Sequence, residues 1–358
     1  MRISYLYTNI TVSFYQKPYV ELFVLKIVWE NKLISSFVYR RVLHGNRVTK
    51  ILWRIVRRLI IKIDDEALCN MRIHGQDLVM PLSHSLPLYL RDCPFYDRLP
   101  SRLSNFMNSK LISIKCIDVG ANIGDTIAAF KEPIGDKKKN NDAGIFLAVE
   151  PNPRFRKLLN LNWGDVQGVI ILPYICSSTQ GNTSALINES NGTASIDFSM
   201  NIIKENSAEF EVKTIDSIVA QYKQYGYFNV LKIDTDGHDF EVLSGAKGFI
   251  TESQPFLYYE VDAFSNPNFI EDCLDTLEFL NVAGYTKIFI YDNFGNFMGV
   301  FKISDITSIK KLLFYKLTKE YYYFYFLLMK DCFVDEFYKK EVEYFVNAIK
   351  DTRLYQTV

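Results

Sequence analysis

The chain has no C-x-x-C pair, no internal repeat, no long low-complexity linker, and no charge-free apolar run long enough to cross a bilayer. A helical span needs about 20 consecutive apolar residues, so an integral membrane protein of that kind is not expected. Six cysteines (Cys69, Cys93, Cys116, Cys176, Cys273, Cys332) lie far apart in 358 residues. That spacing argues against zinc and against a disulfide framework. The stretch MRISYLYTNITVSFYQKPY (1–19) lacks a sustained apolar core and a small-residue cleavage site, and so makes a poor signal peptide. A reducing, cytoplasmic setting follows as the expectation.

Net charge is also missing, but only in total. Residues 1–63 carry 12 Lys and Arg against 2 Asp and Glu, a net +10; the rest carries 29 against 39, a net −10. The asymmetry points to an anionic partner for the N-terminal part. Within it, VTKILWRIVRRLIIK (48–62) places Ile51, Leu52, Ile55, Val56 and Leu59 on one helical stripe. Lys50, Arg54, Arg57 and Arg58 fall opposite, with Trp53 near the boundary. Such a helix either lies on an anionic membrane, here at its inner face, or packs on its own domain with a solvated basic side. No nucleic-acid partner is expected, because the basic residues are confined to this extension and no recognition module accompanies them.

What is present, from residue 111 on, is an alternation of apolar strands and helical stretches. Strands are expected at 111–120, 144–150, 169–175, 229–234 and 255–261, and an antiparallel hairpin at 285–301 turning over Asn293–Asn296. Asn152 and Pro153 supply an N-cap and a first-turn proline to the helix after the second strand. Repeated βα units predict a mostly parallel sheet with helices on both faces, made mixed by the hairpin. The polar stretch 131–144 reads as a surface loop. The aromatic tail, FYKLTKEYYYFYFLLMKDCF (314–333), is expected to pack on the domain. The domain reading is thus a basic extension (1–65), an entry segment (66–110), a core (111–302) and the tail (303–358).

CIDVGANIGDT (116–126) closes the first strand with a glycine-spaced turn onto a helix. Turns of this type cradle phosphates when backbone N–H groups point into them. Here the turn carries Asp118 and Asp125, and Asn122 and Asp125 stand where a dinucleotide fingerprint has its second and third glycines. A ligand that is cationic or rich in N–H and O–H donors suits it better. Glu150 ends the second strand, 32 residues after Asp118, where an acid can accept both hydroxyls of a ribose. Asp234 ends the fourth. If the first and fourth strands are neighbours, Asp118 and Asp234 meet in one crevice. Asp236 and Asp239 read most simply as helix N-terminal caps.

In order and spacing, IDVGANIGDT, AVEPNPRFRKLLNLN, VKTID, LKIDTDGHDFEVLSGA and FLYYEVD resemble the FkbM-type methyltransferases over roughly 80–302. The resemblance implies a Rossmann-like class I fold with a seven-stranded mixed sheet, and S-adenosylmethionine as cofactor. It implies that Asp118, Gly120, Ala121, Asn122, Gly124 and Asp125 hold the methionine end. Glu150 would take the ribose, Pro151 and Asn152 would border the adenine, and Cys176 and Ser177 would stand nearby. Relatives tend to read acid–valine–glutamate–glycine–x–glutamate at the fourth strand; this chain has Asp234-Thr235-Asp236-Gly237-His238-Asp239. The implied activity is O-methylation of a sugar hydroxyl in a polysaccharide, glycolipid or related natural product. Loss of that hydroxyl's proton calls for a base, for which Asp234, His238 and His84 are the candidates. Mg²⁺ held by the Asp234–Asp239 acids is an alternative that nothing requires. A non-catalytic membrane-associated module and a nicotinamide-dependent oxidoreductase are the rival functions.

Overall fold

The computed structural model describes residues 32–134, 144–190, 193–197, 208–264, 266–319 and 322–350, with backbone alone at 186–190 and 193–197. The leader reading of 1–19 and most of the expected 131–144 loop lie outside the described residues.

Two helices, α1 (32–44) and α2 (Arg47–Ile63), precede a hairpin, β1 (Leu68–Ile73) and β2 (Gln76–Pro81), and the helices α3 (Leu86–Asp92) and α4 (Leu99–Ser109). The alternating unit follows as β3 (Lys115–Val119), α5 (Asp125–Lys131), β4 (Ile145–Val149), α6 (Pro153–Trp163) and β5 (Val169–Leu172). Next come β6 (Ile175–Cys176), β7 (Gly181–Ser190), β8 (Thr193–Asp197), β9 (Ala208–Lys213) and α7 (Ile215–Gln221). The second half runs β10 (Val230–Ile233), α8 (Asp239–Ser244), α9 (Lys247–Ser253), β11 (Phe256–Val261) and α10 (Phe269–Val282). It ends with the hairpin β12 (Lys287–Asp292) and β13 (Phe297–Lys302), then α11 (Ile306–Leu317), β14 (Phe324–Leu328) and α12 (Asp331–Lys350).

The main sheet is mixed, in the order β13-β12-β14-β11-β10-β3-β4-β5. Strands β5, β4, β3, β10 and β11 are parallel; β14 is antiparallel to both β11 and β12. This is the doubly wound α/β architecture, with eight strands rather than seven. The additional strand comes from the tail, which was expected only to pack on the core: Phe324–Leu328 inserts between β11 and the hairpin. The strand expected over 169–175 also divides. Pro173 cannot donate to a ladder, and Ile175–Cys176 leaves for a four-stranded sheet, β6-β9-β7-β8.

Strands buried on both faces carry nearly continuous apolar sequence, and successive residues feed opposite layers. Cys116, Ala148, Val230 and Phe256 face the layer formed by α4, α5, α6 and α12. Ile117, Leu147, Leu231 and Leu257 face α7 to α11. Three buried ionisable residues break the pattern: Asp118 in β3, Lys232 in β10 and Glu260 in β11. Burial of a charge is costly unless it is paired, so these three mark where the sheet does something besides pack.

Local signals account for the rest of the frame. The Asn152 side chain accepts from the N–H groups of Arg154 and Phe155, with Pro153 at the first helical position of α6, as expected. The last helix is tied down by a buried bidentate pair, Arg102 Nε to Glu341 Oε1 at 2.8 Å and Nη2 to Oε2 at 3.0 Å. Tyr291 Oη donates to the same carboxylate at 2.7 Å.

Candidate active site

The chain order reverses between β3 and β10, which lie side by side and parallel while β4 continues on the other flank of β3. Ligand crevices in open α/β sheets form at the carboxyl ends of strands where this happens. The expected meeting of Asp118 and Asp234 occurs there. The register sets Asp118 beside Lys232.

The turn after β3 is not an anion cradle. The N–H groups of Gly120 and Ala121 donate to Val149 O (3.0 and 3.1 Å), that of Asn122 to Glu150 Oε2 (2.8 Å), and that of Gly124 to Ala121 O (2.8 Å). Four of its donors are therefore engaged inside the protein. Both glycines answer to packing. Gly120 has φ +78°, and a Cβ there would stand 1.9 Å from Asp234 O, so the residue lets the turn close over the tip of β10. Gly124, at φ +86°, would drive a Cβ into the Trp163 ring at 2.2 Å. Ala121, implied to border the cofactor, instead points into the apolar layer and is 1% exposed. Asp125 occupies the first turn of α5, while Gly124 is its N-cap.

Glu150 joins this turn to the next. Its Oε1 accepts from Asn152 N–H at 2.8 Å, opposite the Asn122 bond on Oε2. Burial pushes its carboxyl up to about 7 against those two bonds. Each oxygen retains capacity for a second donor. Glu150, Gly120 and Asp234 stand between two adjoining spaces. The larger, about 160 Å³, opens toward His84, Tyr96, Asp125, Tyr258 and Tyr325. A smaller one, about 50 Å³, is bordered by Pro151, Asn152, Tyr174, Cys176 and His238.

Lys232 organises the larger space. Its Nζ lies 3.3 Å from Asp118 Oδ1, 3.5 Å from Asp234 Oδ2, and donates to Gly120 O at 3.2 Å. Burial disfavours its charge, but Asp118, Asp234 and Asp125 outweigh burial and hold the ammonium protonated. Burial likewise works to raise Asp234, yet Lys232, a hydrogen bond with Glu260 and one from Tyr325 (3.3 Å) keep it below the usual carboxylate range. Glu260 goes the other way, raised by burial and by Asp234. Of the pair, Glu260 is the one that holds a proton more readily. Asp118, fully buried, is raised by burial against the pull of Lys232.

More carboxylates ring the opening. Asp236 holds φ +50°, a left-handed conformation that Asp tolerates better than most residues, and faces the larger space. Burial, Asp234 and Asp262 push it up to about 7. Asp239, read from sequence as a helix cap, is instead the first residue of α8 behind the N-cap His238, and it braces the turn before the helix: Oδ1 accepts from Thr235 N–H and Oδ2 from Gly237 N–H, both at 3.2 Å. Asp125 is pushed to about 7 by burial and by Asp97. Among the described residues no group of three or more His, Cys, Asp and Glu side chains could hold a metal ion.

The two histidines expected to serve as bases are placed differently. His238 belongs to the smaller space, with Nε2 3.2 Å from Ser177 Oγ. His84 does line the larger one. Its Nδ1 accepts from Leu86 N–H at 3.2 Å, which puts the neutral ring's proton on Nε2 and makes that nitrogen a donor. Burial lowers its pKa to about 4. A third histidine matters indirectly. His74 Nε2 donates to Asp97 Oδ2 at 2.8 Å, beside Glu132, and these acids outweigh burial to raise its pKa to about 9. The ordinary value is about 6.5, so this stabilisation is complete below pH 6.5 and lost as pH rises through 9. It amounts to about 3 kcal/mol at most. In His74→Gln the fall in unfolding free energy between pH 6.5 and 9 is expected to be shallower than in wild type by that order, read from urea titrations.

Residues 118–287 match a family model described as the Methyltransferase FkbM domain. The matched segment, just under half of the chain, is similar to that domain. The FkbM segment contains Asp118, Glu150, Lys232, Asp234, Asp236 and Glu260. The larger space is completed by residues outside it: His84 and Tyr96 before, Tyr323 and Tyr325 after. Among solved structures, the FkbM methyltransferase of Methylobacillus flagellatus KT is 14% identical with a TM-score of 0.34. The match covers 57% of this chain, which spans about half (54%) of that one. The plantazolicin methyltransferase BpumL, solved in complex with SAH, is 6% identical over 86% of this chain and 99% of its own, with a TM-score of 0.29. No curated protein matches.

Lys232, Glu260 and the tail tyrosines were not singled out from sequence. The first two had a signal: an ionisable residue inside an apolar strand, in NVLKID and FLYYEV. The tyrosines had none beyond composition.

Proposed function

We propose that the protein is an S-adenosylmethionine-dependent O-methyltransferase whose acceptor is an uncharged sugar hydroxyl of a glycan or glycolipid. The observation that carries this reading is the acid-lined crevice at the β3–β10 switch point, whose turn has its N–H groups engaged internally. That chemistry suits a cofactor bearing a sulfonium and an ammonium, and does not suit a pyrophosphate. It counts against the nicotinamide-dependent alternative.

The residues present fit the cofactor. Asp125, Asp234 and Asp236 line the larger space, Asp118 lies buried behind it on Lys232, and Glu150 has lone pairs left for ribose hydroxyls. Pro151, Tyr174 and Cys176 border an apolar compartment for a base. When bound, S-adenosylmethionine supplies an electrophilic methyl group; holding donor and acceptor in line away from water supplies much of the rate.

Aromatic faces support the acceptor class. Tyr89 stacks on Tyr96 with centroids 5.1 Å apart, and Tyr258 and Tyr325 meet at 5.0 Å, all on the larger space. Such faces take the C–H side of a sugar ring. The surrounding carboxylates disfavour phosphorylated or uronate acceptors, by like-charge repulsion in a site of low dielectric.

For the proton acceptor, Asp236 serves better than Asp234. Asp234 is tied to Lys232, Glu260 and Tyr325, whereas Asp236 reaches the same space with a pKa near the operating range. Asp236→Asn is expected to slow transfer from methyl-labelled cofactor to neutral oligosaccharides by about 10²- to 10⁴-fold, with cofactor affinity changed little. The wild-type rate should rise with pH about a midpoint near 7, and the variant should lack that limb. A variant of wild-type rate and profile would remove Asp236 from this role. Absence of transfer by the wild type to any hydroxyl acceptor would count against O-methylation.

A further inference from the structure

Helix α2 carries an apolar stripe that nothing described covers. Val48, Ile51, Leu52, Ile55, Leu59 and Ile63 are between 49% and 86% exposed, and the helix has no fully buried residue. At 100° per residue these six fall within one sector about 120° wide. The helix touches the domain by a different side, through Trp53, Ile60 and Ile61. Arg57 anchors that contact, contrary to its expected place on the solvated face. Its guanidinium donates to Leu82 O at 2.8 Å, Ser83 O at 2.9 Å and His84 O at 3.3 Å, and lies 4.5 Å from the Tyr39 ring centroid. The stripe therefore points outward because the opposite side is fastened down.

Charge identifies what the stripe meets. The helix contains six Lys and Arg and no Asp or Glu. With Arg57 turned inward, Arg47, Arg54 and Arg58 are exposed along one flank of the stripe, and Lys62 is exposed within its sector. The remainder of the chain beyond residue 63 is net −10, so this helix is the surface suited to an anionic sheet. Apolar residues flanked by cations, on a helix about 25 Å long, are what partitions into a headgroup layer.

We infer that α2 docks the protein on the surface of an anionic lipid bilayer, lying in the headgroup plane by its Val48–Ile63 stripe. The Arg57 clamp holds the His84 loop, a wall of the larger space, directly behind this helix. Docking would thereby set the acceptor opening beside the membrane. The docking rests on the helix alone and stands whether or not the methyltransferase reading does.

Co-sedimentation of the full chain with vesicles tests it, comparing phosphatidylglycerol mixed into phosphatidylcholine with pure phosphatidylcholine. Binding is expected to the anionic vesicles only, weakening as salt rises. Leu52→Glu/Ile55→Glu/Leu59→Glu should abolish it with the thermal midpoint unchanged. Arg54→Glu/Arg58→Glu, at exposed positions, gives an independent reading should the triple variant fail to fold. At about fivefold per basic residue near such a surface, it should lose well over tenfold. No sedimentation of wild type with anionic vesicles overturns the inference. So does equal binding to both vesicles, or a wild-type dimer that the triple variant converts to monomer, which would assign the stripe to a second copy.

Discussion

Lys232→Met is expected to lower the unfolding free energy by about 3–5 kcal/mol at pH 8, the range for removing one partner of a buried ion pair. The lysine is the cation between Asp118 and Asp234, 3.3 and 3.5 Å away, and is itself 4% exposed. Methionine fills most of the volume, so what remains is charge: buried carboxylates with no counterion. In the variant their folded pKa values rise above those of the unfolded chain. Stability should therefore recover as pH falls and the acids take up protons, and the gap from wild type should narrow toward pH 5. A pH-independent deficit would make the loss one of packing instead. Lys232→Met/Asp118→Leu, which removes the charge beneath as well, should regain much of the stability but not the catalytic activity. The lysine also holds the Asp234 carboxyl below its usual range while Glu260 beside it is raised. Together these groups give the crevice a polarity that neither apolar replacement restores.

Glu150→Ala is expected to reduce affinity for S-adenosylmethionine by at least about 100-fold. Two effects combine. The variant loses the acceptor proposed for the ribose hydroxyls, and charge-assisted hydrogen bonds are the stronger kind, about 1.5–3 kcal/mol each. It also frees the N–H groups of Asn122 and Asn152, which Glu150 holds at 2.8 Å each, so the two turns bordering the crevice lose their link. Glu150→Gln separates the effects. The amide is uncharged but its oxygen can still accept from one turn, so whatever Glu150→Ala loses beyond this variant belongs to the lost acceptor and not to the charge.

The parts of this site that could be read in the sequence are those set by nearby residues. The glycine-spaced turn, the acid ending the second strand, and the Asn152-Pro153 start of α6 are each specified within a few positions, and each lies where expected. That Asp118 and Asp234 meet needed only that β3 and β10 be neighbours, a consequence of doubly wound order. Lys232 and Glu260 were visible as charges in apolar strands; their partners were not, because pairing depends on register across the sheet. His238 is turned away by backbone conformation. Asp236 and Gly237 are consecutive left-handed residues at φ +50° and +97°, and they redirect the chain before the helix begins. The tail strand was the least legible element. FYFLL is a good strand and equally a good packing segment. Its place between β11 and β12 is decided by pairing with residues some 35 to 70 positions earlier.

The most direct test of the account is calorimetric titration of the full chain with S-adenosylmethionine, NADH being titrated in parallel. Micromolar binding of the sulfonium cofactor, its loss in Glu150→Ala, and no heat with NADH are expected. A folded protein that binds NADH, or binds neither ligand, would contradict it.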